Sequence, residues 1–399
     1  MSNKFLNLFM FIFAISAFTL VGCTDDDDNK TDNDISYNLD ERSDSGIDGK
    51  IEFVELTDGR IQAEISLNGT TSGNTYPAHV HMNSFAEGGD IVISLESVAG
   101  ATGSSVTVFE TTDNGDAVTF DMIRNMDAYV NVHLSPDDLA TVVAQGDIGS
   151  NTLTGESYTY DLDERAVEGI SGTITFHERM NGYTLAEINL SNTPDGGSHP
   201  AHIHMNSFAE GGDILVTFTP VDGTTGTSWT GIRATDGGET LEYQDILNTD
   251  GYVNVHLSAD ELGTIVAQGD IGYNELTGES IDYALETKDV AGISGMITFY
   301  ERKDGSALAS IELVGTPNGG MHPAHIHENS AAESGPIAFT FNPVVGDTGM
   351  SWTDMDSFDD GSNLNYAMLD NYDGYVNVHK SAEELDVIVA QGDIGVNAD

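Results

Sequence analysis

Two scarcities in the sequence limit what the chain can do. Only one of its 399 residues is a cysteine, which excludes disulfides within the chain and zinc sites built from cysteines. Cations are scarce too, with 13 Lys and Arg against 66 Asp and Glu, for a formal net charge of -53. Phosphate repels a chain this acidic, so nucleic-acid binding is excluded, and an ionic partner would be a cation, a metal ion or a basic surface.

The single long apolar run lies at the N-terminus. Lys4 precedes an almost unbroken apolar stretch from Phe5 to Val21, which ends in Gly22-Cys23. This pattern resembles a bacterial lipoprotein signal, with residues 1–22 as the signal peptide and Cys23 as the lipidated residue. An ordinary secretory signal or a membrane-spanning helix is the alternative, but the run is short for a span. We therefore predict attachment to a membrane through an N-terminal lipid.

An acidic segment follows the predicted lipidation site. Residues 23–35 contain the run Asp25 to Asp28 and further polar residues, which favours a flexible tether over a buried element. An acidic stretch behind the lipidated Cys also resembles the tag that directs some Gram-negative lipoproteins to the outer face of the outer membrane. A plain spacer is the competing interpretation. The expected location is the outer membrane, with the protein exposed at the cell surface. Attachment to the leaflet that faces the periplasm is the alternative.

The rest of the chain repeats one unit three times. His79, His202 and His325 occupy the same motif at a constant interval (202 − 79 = 325 − 202 = 123). A period this long indicates a domain with its own core in each copy, not the short unit of a solenoid. The polar joints at 154–157 and 277–280 suggest domains over residues 36–156, 157–279 and 280–399. Such short joints predict a stiff or semi-stiff arrangement.

The pattern inside each copy is that of an all-β protein. Gly49 to Phe53 and Ile61 to Leu67 alternate apolar and polar residues around Asp58-Gly59, which predicts a hairpin with a type I′ turn. Further strands are predicted at 78–82, 91–98 and 129–133, with one ending in 145–148. A short helical turn is expected after the strand at 129–133, where Ser135 begins an N-cap pattern. The predicted fold is three tandem antiparallel β-sandwich or barrel domains.

Nine of the 12 histidines occupy three equivalent positions in the copies. Since side chains alternate along a strand, the two histidines of each His-x-His pair lie on one face. A His-x-His pair with one distant His is a familiar way to hold zinc or copper with one coordination position open. The candidate metal ligands are His79, His81, His133, His202, His204, His256, His325, His327 and His379.

Two groups of polar residues are candidates for orienting these rings or adding a ligand. They are Asn131, Asn254, Asn377, Glu87, Glu210 and Glu333. The alternative to a metal site is a structural one, in which the histidines form buried polar networks that fix the fold. A catalytic role without a metal is a third interpretation.

The motifs Pro200-Ala201-His202-Ile203-His204 and Tyr252 to His256, with the loop at Gly212-Asp213 between them, resemble the chordin-type (CHRD) domain. The resemblance extends over nearly the whole mature chain, three times. It implies an extracellular antiparallel β domain without a settled biochemical activity. This chain departs from the family where Gln145-Gly146-Asp147-Ile148-Gly149 replaces a closing strand that commonly carries an arginine.

A second resemblance is to the copper/zinc superoxide dismutase sandwich, in which a His-x-His pair binds copper. The segments Gly295 to Glu301 and Met321 to Glu328 are similar to that pattern. By this resemblance His325, His327 and His379 are analogues of copper ligands. The zinc-loop histidines, the disulfide and a catalytic arginine have no counterparts, so a shared architecture is expected and dismutase activity is not.

Two functions follow from these observations. The first is a cell-surface lipoprotein whose three β modules bind or adhere to an extracellular protein or polysaccharide, without catalysis. The second is a copper- or zinc-binding protein, with a redox role open, that has one three-histidine site per domain. Specific calcium sites are not predicted because no Asp-x-Asp-x-Asp-Gly loop with a downstream Glu is present. No Gly-x-Ser-x-Gly elbow or phosphate loop is present, so the sequence favours a protein that is not an enzyme.

Overall fold

The computed structural model describes residues 29–398, and antiparallel β-sheet dominates them. This confirms the predicted all-β class. The predicted signal peptide, Cys23 and the Asp25 to Asp28 run lie outside the described residues. The structure contains three sheets, which we call repeat 1 (β1–β8), repeat 2 (β9–β18) and repeat 3 (β19–β26).

Repeat 1 is a closed barrel in which the neighbouring strands follow the order β1-β2-β3-β6-β5-β4-β7-β8. Its elements are β1 (Lys30–Glu41), β2 (Asp48–Leu56), β3 (Ile61–Asn68), β4 (Thr75–Met82), β5 (Ile91–Ala99), β6 (Ser104–Phe109), α1 (Phe120–Asn125), β7 (Asp127–Ser135) and β8 (Asp138–Gly149).

The first strand corrects the predicted tether. β1 begins at Lys30, so residues 30–35 belong to the barrel and not to a flexible segment. Asp34 pairs with Val54 and Ile35 with Phe53 of β2. The acidic composition had pointed to a tether, but alternation of Ile35, Tyr37 and Leu39 with polar residues lets this segment join a sheet with one face inward.

Repeat 2 has the same strand path, but two of its strands are split. Its elements are β9 (Leu153–Glu164), β10 (Ser171–Arg179), β11 (Thr184–Ser191), β12 (Ser198–His199), β13 (Ala201–Met205), β14 (Ile214–Thr217), β15 (Val221–Asp222), β16 (Thr227–Ile232), α2 (Tyr243–Leu247), β17 (Asp250–His256) and β18 (Ile265–Gly272). The breaks lie at Pro200 and at residues 218–220. Proline alone does not cause them, because Pro77 occupies the position of Pro200 inside the unbroken strand β4. The sheet therefore ends at β12 and β14 instead of closing.

Repeat 3 is again a closed barrel of eight strands, with the same order as repeat 1. Its elements are β19 (Leu276–Thr287), β20 (Ser294–Arg302), β21 (Ala307–Val314), β22 (Met321–Glu328), β23 (Ile337–Val345), β24 (Met350–Met355), α3 (Tyr366–Leu369), β25 (Asp373–His379) and β26 (Ile388–Gly395).

The polar joints are not linkers. Residues 154–157 lie in β9 and residues 277–280 lie in β19, so each repeat begins a few residues before the predicted boundary. Gly155 and Gly278 have φ angles of 96° and 92°, which glycine tolerates. The turn signal that suggested a boundary therefore marks an irregularity inside the first strand of a repeat.

Local turns differ from the prediction in two places. At Asp58-Gly59 only Gly59 has a positive φ, 86°, whereas a type I′ turn needs two such residues. The N–H of Gly59 donates to the carbonyl of Leu56 at 2.8 Å, as in a type I turn followed by a glycine bulge.

The helical turns precede β7, β17 and β25 rather than follow them, and the segment at Ser135 forms a tight turn into β8. The Ser135 hydroxyl accepts a hydrogen bond from the N–H of Asp138. This is the bond of a helix N-cap, but a strand and not a helix follows it.

Each repeat has its own apolar core inside the ring of strands. In repeat 1 Ala78 and Val80 of β4 and Val130 and Val132 of β7 are fully buried in it. The residues between them point to the outer face, because neighbours along a strand face opposite sides. No helix in residues 29–398 has the length and apolar character needed to cross a membrane.

Candidate metal centre

The histidines lie on two neighbouring strands of each repeat. In repeat 1, β4 carries His79 and His81, and the adjacent antiparallel strand β7 carries His133. His79 pairs in register with Asn131, and His81 with Tyr129. All three imidazoles stand on the outer face of the barrel because the intervening alanine and valines fill the core. As predicted, the two histidines of each His-x-His pair therefore lie on one face of their strand.

The three imidazoles of each repeat converge. One ring nitrogen from each residue lies within 4.8 Å of the others. A tetrahedral ion with metal–nitrogen distances of about 2.0–2.1 Å holds its nitrogens about 3.4 Å apart, so each cluster needs only a small closure to bind one. We call these groups cluster 1 (His79, His81, His133), cluster 2 (His202, His204, His256) and cluster 3 (His325, His327, His379).

The second histidine of each pair has a fixed tautomer. His81 Nδ1 lies 3.0 Å from the carbonyl oxygen of Gly89, which can only accept, so Nδ1 carries the proton. The same contact joins His204 to Gly212 and His327 to Gly335, at 3.0 Å each. The Nε2 atoms of these histidines are buried and have no hydrogen-bond partner within the described residues. Each ring thus presents a lone pair to its cluster, as metal-ligating histidines do.

The distant histidine is oriented by a loop carbonyl. His256 Nδ1 donates to the carbonyl of Leu262 at 2.6 Å, which leaves Nε2 as the ligand atom. His202 Nδ1 lies 3.1 Å from that Nε2. Burial lowers the pKa of His133 and His379, and the carbonyls of Leu139 and Leu385, which correspond to Leu262, act in the opposite direction.

The first histidine of each pair is held neutral. Burial, followed by the neighbouring imidazoles, lowers the pKa of His202 and of His325 to about 4. Burial also lowers the pKa of His79, with His81 adding to the effect. A neutral imidazole is the form that binds a metal ion, so protons compete little for these ligands near pH 7.

A tyrosine stacks on each cluster, a role that the sequence pattern did not reveal. The rings of His81 and Tyr129 lie 4.9 Å apart with an interplanar angle of 21°. His204 with Tyr252 and His327 with Tyr375 repeat this stacking. The Tyr129 hydroxyl accepts the N–H of Gly89, the residue whose carbonyl binds His81. Tyr129 and Tyr252 therefore brace both the histidine ring and the loop that orients it, and Tyr375 stacks on its histidine.

The predicted helper residues have other partners. Asn131, Asn254 and Asn377 accept hydrogen bonds from Gln145, Gln268 and Gln391 at 2.7–2.8 Å. These asparagines lie beside the clusters in register, but the structure pairs their amide oxygens with glutamines and not with a histidine ring.

The glutamates predicted to assist the clusters hold the loop that follows the His-x-His strand. Glu87, Glu210 and Glu333 each accept a hydrogen bond from a serine three residues earlier. Glu87 also binds Arg233 of repeat 2 at 2.6 Å. None of the three belongs to a cluster of possible ligands in the described residues. The structure thus pairs these carboxylates with loop serines and, for Glu87, with an arginine of the next repeat.

The remaining histidines lie outside the clusters. His199 and His322 are buried, and each donates from Nδ1 to the backbone carbonyl of the distant cluster histidine, His256 or His379. His177 pairs with Glu187 at 3.1 Å.

Comparisons with protein-family models, with curated proteins and with solved structures find no match to this chain.

Proposed function

We propose that this protein binds transition-metal ions, one in each of its three histidine clusters. The observation that carries the proposal is the convergence of a His-x-His pair and a distant histidine in every repeat, with ring nitrogens within 4.8 Å. The backbone carbonyls on Nδ1 support it, since they direct Nε2 inward. The buried Nε2 atoms of His81, His204 and His327 have no hydrogen-bond partner in the described residues, and a bound ion would supply one. In the metal-free cluster 2 a hydrogen bond joins His202 Nδ1 to His256 Nε2, and an ion would replace that proton.

The donor set favours zinc or copper(II). Imidazole nitrogen is a ligand that both ions accept, and three neutral nitrogens leave one position of a tetrahedral ion for another ligand. Copper(I), which prefers sulfur ligands, is less well matched because the clusters consist of imidazoles and no cysteine joins them in the described residues. A bound ion would supply a Lewis acid or, for copper, a one-electron centre, while the protein's residues hold the imidazoles and fix their tautomers.

Metal content of the chain from Thr24 to Asp399 tests the proposal. After exposure to zinc or copper and removal of free ions, elemental analysis should give close to three ions per chain. A variant that combines His81→Ala, His204→Ala and His327→Ala should lose all of them. The matched control is His177→Ala, which removes a histidine outside the clusters and should leave the content at three.

A metal-free native chain would overturn the proposal. Partial outcomes are informative as well, because the three clusters are independent. Each single substitution should remove one ion, and circular dichroism establishes that the variant is folded.

A second proposal concerns where and how the three repeats are displayed. We infer a lipoprotein held through Cys23 on the outer membrane, whose repeats bind an extracellular protein or polysaccharide; the resemblance to chordin-type domains supports an extracellular setting. The observation that favours display is a pair of buried junctions between repeats, where Arg179 meets Asp147 and Arg302 meets Asp270. Modules fixed in relative position suit several simultaneous contacts with one large partner.

Metabolic labelling with a fatty acid, in native cells and with Cys23→Ser, tests the anchor. Label should appear on the native chain only, and protease added to intact cells should digest it if it faces outward. Removing one repeat should weaken attachment to a surface in steps through lost avidity. An unlabelled native chain would overturn the anchor, and an all-or-none loss of attachment would overturn the multivalent display.

A further inference from the structure

Two exposed aliphatic positions recur in all three repeats, and both border the histidine clusters. Each of these side chains leaves 44–49% of its surface exposed. Every other exposed large hydrophobic position among residues 29–398 is replaced by a polar, small or less exposed residue in at least one repeat. The recurrent residues are Ile91, Ile214 and Ile337 at one position and Leu139, Leu262 and Leu385 at the other.

Both positions adjoin a cluster ligand. Ile91 pairs with His81 across β5 and β4, at a β-bulge in the ladder. Ile214 pairs with His204 and Ile337 with His327 in the same way. On the other side the backbone carbonyl of Leu262 orients His256. An exposed isoleucine therefore lies across the ladder from the second histidine of each pair, and in repeat 2 the backbone of the exposed leucine contacts the distant histidine.

The protein offers no fourth ligand. Each cluster contains three histidines and no further His, Cys, Asp or Glu among the described residues. The nearest repeated acid of repeat 1, Asp113, uses one carboxylate oxygen on the N–H and the other on the hydroxyl of Ser94, at 3.0 and 2.7 Å. Asp236 and Asp359 bind Thr217 and Thr340 in the same way. A tetrahedral ion would keep one position for a ligand from outside.

The charge of a loaded cluster selects an anion. Three neutral imidazoles leave the charge of a divalent ion uncompensated, in a chain whose net charge is otherwise -53. A monoanionic donor lowers that local charge, and an aliphatic body behind the donor covers the recurrent Ile and Leu side chains. Two exposed aliphatic side chains would not be needed for water or hydroxide alone.

We propose that each loaded cluster binds a small aliphatic monocarboxylate. Its carboxylate occupies the fourth position of the ion, and its alkyl chain lies over the recurrent Ile and Leu side chains. The inference rests on the proposed metal binding, and it names the class of ligand that the site takes.

Cobalt(II) provides the probe, because its visible absorption reports changes of coordination. A chain with His204→Ala and His327→Ala retains cluster 1 alone and is titrated with acetate and with hexanoate. A fully buried methylene strengthens binding about fourfold and one covered on one side about twofold. Hexanoate has four more methylenes than acetate, so it should bind roughly tenfold more tightly or better.

Substitutions next to cluster 1 locate the effect. Ile91→Ser with Leu139→Ser should reduce the preference for hexanoate to less than about threefold and leave acetate binding unchanged. Val106→Ser is the matched control, since Val106 is an equally exposed aliphatic residue on β6 of the same repeat, paired with Glu64.

The outcomes separate the two proposals. If no cobalt spectrum develops, metal binding by cluster 1 fails. If cobalt binds but hexanoate and acetate bind equally, or neither changes the spectrum, the carboxylate proposal is overturned while metal binding stands.

Discussion

At the scale of single residues, the loop glycines after the His-x-His strand orient the clusters. A methyl group on Gly89 would lie 2.1 Å from the carbonyl oxygen of Met82, so this backbone would have to move. The same backbone carries the carbonyl that holds His81 Nδ1 and the N–H that binds Tyr129. Gly89 is therefore a positioning residue for cluster 1, although it has no side chain to contribute.

Replacing Gly89 tests this role. Gly89→Ala should weaken metal binding by cluster 1 about 10- to 100-fold, the usual cost of losing the hydrogen bond behind a ligating histidine. Calorimetric titration of a chain that retains cluster 1 alone measures the affinity. Gly237→Ala is the control, because a methyl group there meets only Thr235 Oγ1 at an ordinary 3.5 Å. Equal affinities for both variants would contradict the role of the loop.

The first histidine of each pair should titrate unusually low. Because burial and neighbouring imidazoles lower the pKa of His202 and His325 to about 4, both rings should remain neutral at pH 5 in the metal-free chain. The unfolded chain takes up these protons near pH 6.5, so stability should fall as the pH drops from about 6.5 to about 4. Two-dimensional NMR of the ring nitrogens measures this; titration of both rings near pH 6.5 would show that the clusters are open to water.

At the scale of strands and turns, the alternation of apolar and polar residues predicted the strands better than glycine and polar turn signals predicted their ends. The strand at Ile61 to Leu67 could be read from alternation, because an outer face towards water and an inner face in the core impose a period of two. The residues at 129–133 alternate in the same way, although both faces of that strand are buried. The same alternation placed each His-x-His pair on one face. Glycine and polar clusters were less informative, since Gly155 and Gly278 interrupt strands instead of ending them.

Other features of the site needed three-dimensional information. The pairing of β4 with β7 is a contact between segments about 50 residues apart, and no local pattern specifies it. The Gly89 carbonyl and the stacked Tyr129 act through backbone geometry and ring orientation, which residue spacing does not encode. The convergence of the histidines was therefore a hypothesis in the sequence and becomes an observation only when the strands are paired.

Three strands meet around a buried cation between repeats 2 and 3. Arg302 of β20 is fully enclosed and lies 2.9 Å from Asp270 of β18 and 2.8 Å from Asp354 of β24. Two carboxylates thus share one guanidinium. Burial raises the pKa of Asp354 to about 7 and that of Asp270 to about 6, and Arg302 offsets only part of the effect.

A raised carboxyl pKa fixes the sign of the pH dependence. The contribution of Asp354 to stability is full below its unfolded pKa near 3.8 and is lost as the pH rises through about 7. Asp354→Asn should therefore stabilise the chain at pH 8 by on the order of 2 kcal/mol and by about a third of that at pH 5. Urea unfolding at both pH values measures this, with the exposed strand residue Asp282→Asn as the control. A loss of stability at pH 8 would mean that the Arg302 ion pair outweighs the cost of burial.

At the scale of the whole molecule, the junction residues occur only where two repeats meet. Phe85 of repeat 1 packs edge-on against Trp229 of repeat 2, and Phe208 meets Trp352 in the same way. Val106 of repeat 1 stands where repeats 2 and 3 have the tryptophan, and Ala331 of repeat 3 stands where repeats 1 and 2 have the phenylalanine. Among the described residues the aromatic pair is therefore complete at the two junctions between repeats and nowhere else.

Ion pairs reinforce the first junction. Arg179 of repeat 2 is 2% exposed and lies 3.0 Å from Asp147 of repeat 1. Arg233 reaches across the same junction to Glu87 and Asp127 at 2.6 and 2.7 Å. Leu56 and Glu110 occupy the corresponding positions in repeat 1. The buried pair of Arg179 with Asp147 fixes relative orientation, since any rotation separates charges that water does not reach.

Removing both arginines should loosen repeat 1 from repeat 2. In Arg179→Ala with Arg233→Ala, Asp147 remains buried without its cation, a change that typically costs about 3–5 kcal/mol. The chain from Thr24 has no cysteine, so spin labels on Ser66→Cys and Asn189→Cys, equivalent exposed positions in the two repeats, report their separation. Pulsed electron resonance should give one narrow distance distribution for the native chain and a broad one for the double variant. Arg124→Ala, which removes an exposed arginine of repeat 1 that pairs only locally with Asp121, should keep the narrow distribution. If the double variant also kept it while remaining folded, the aromatic contacts would suffice to fix the junction, and the buried ion pairs would not be what holds the repeats in register.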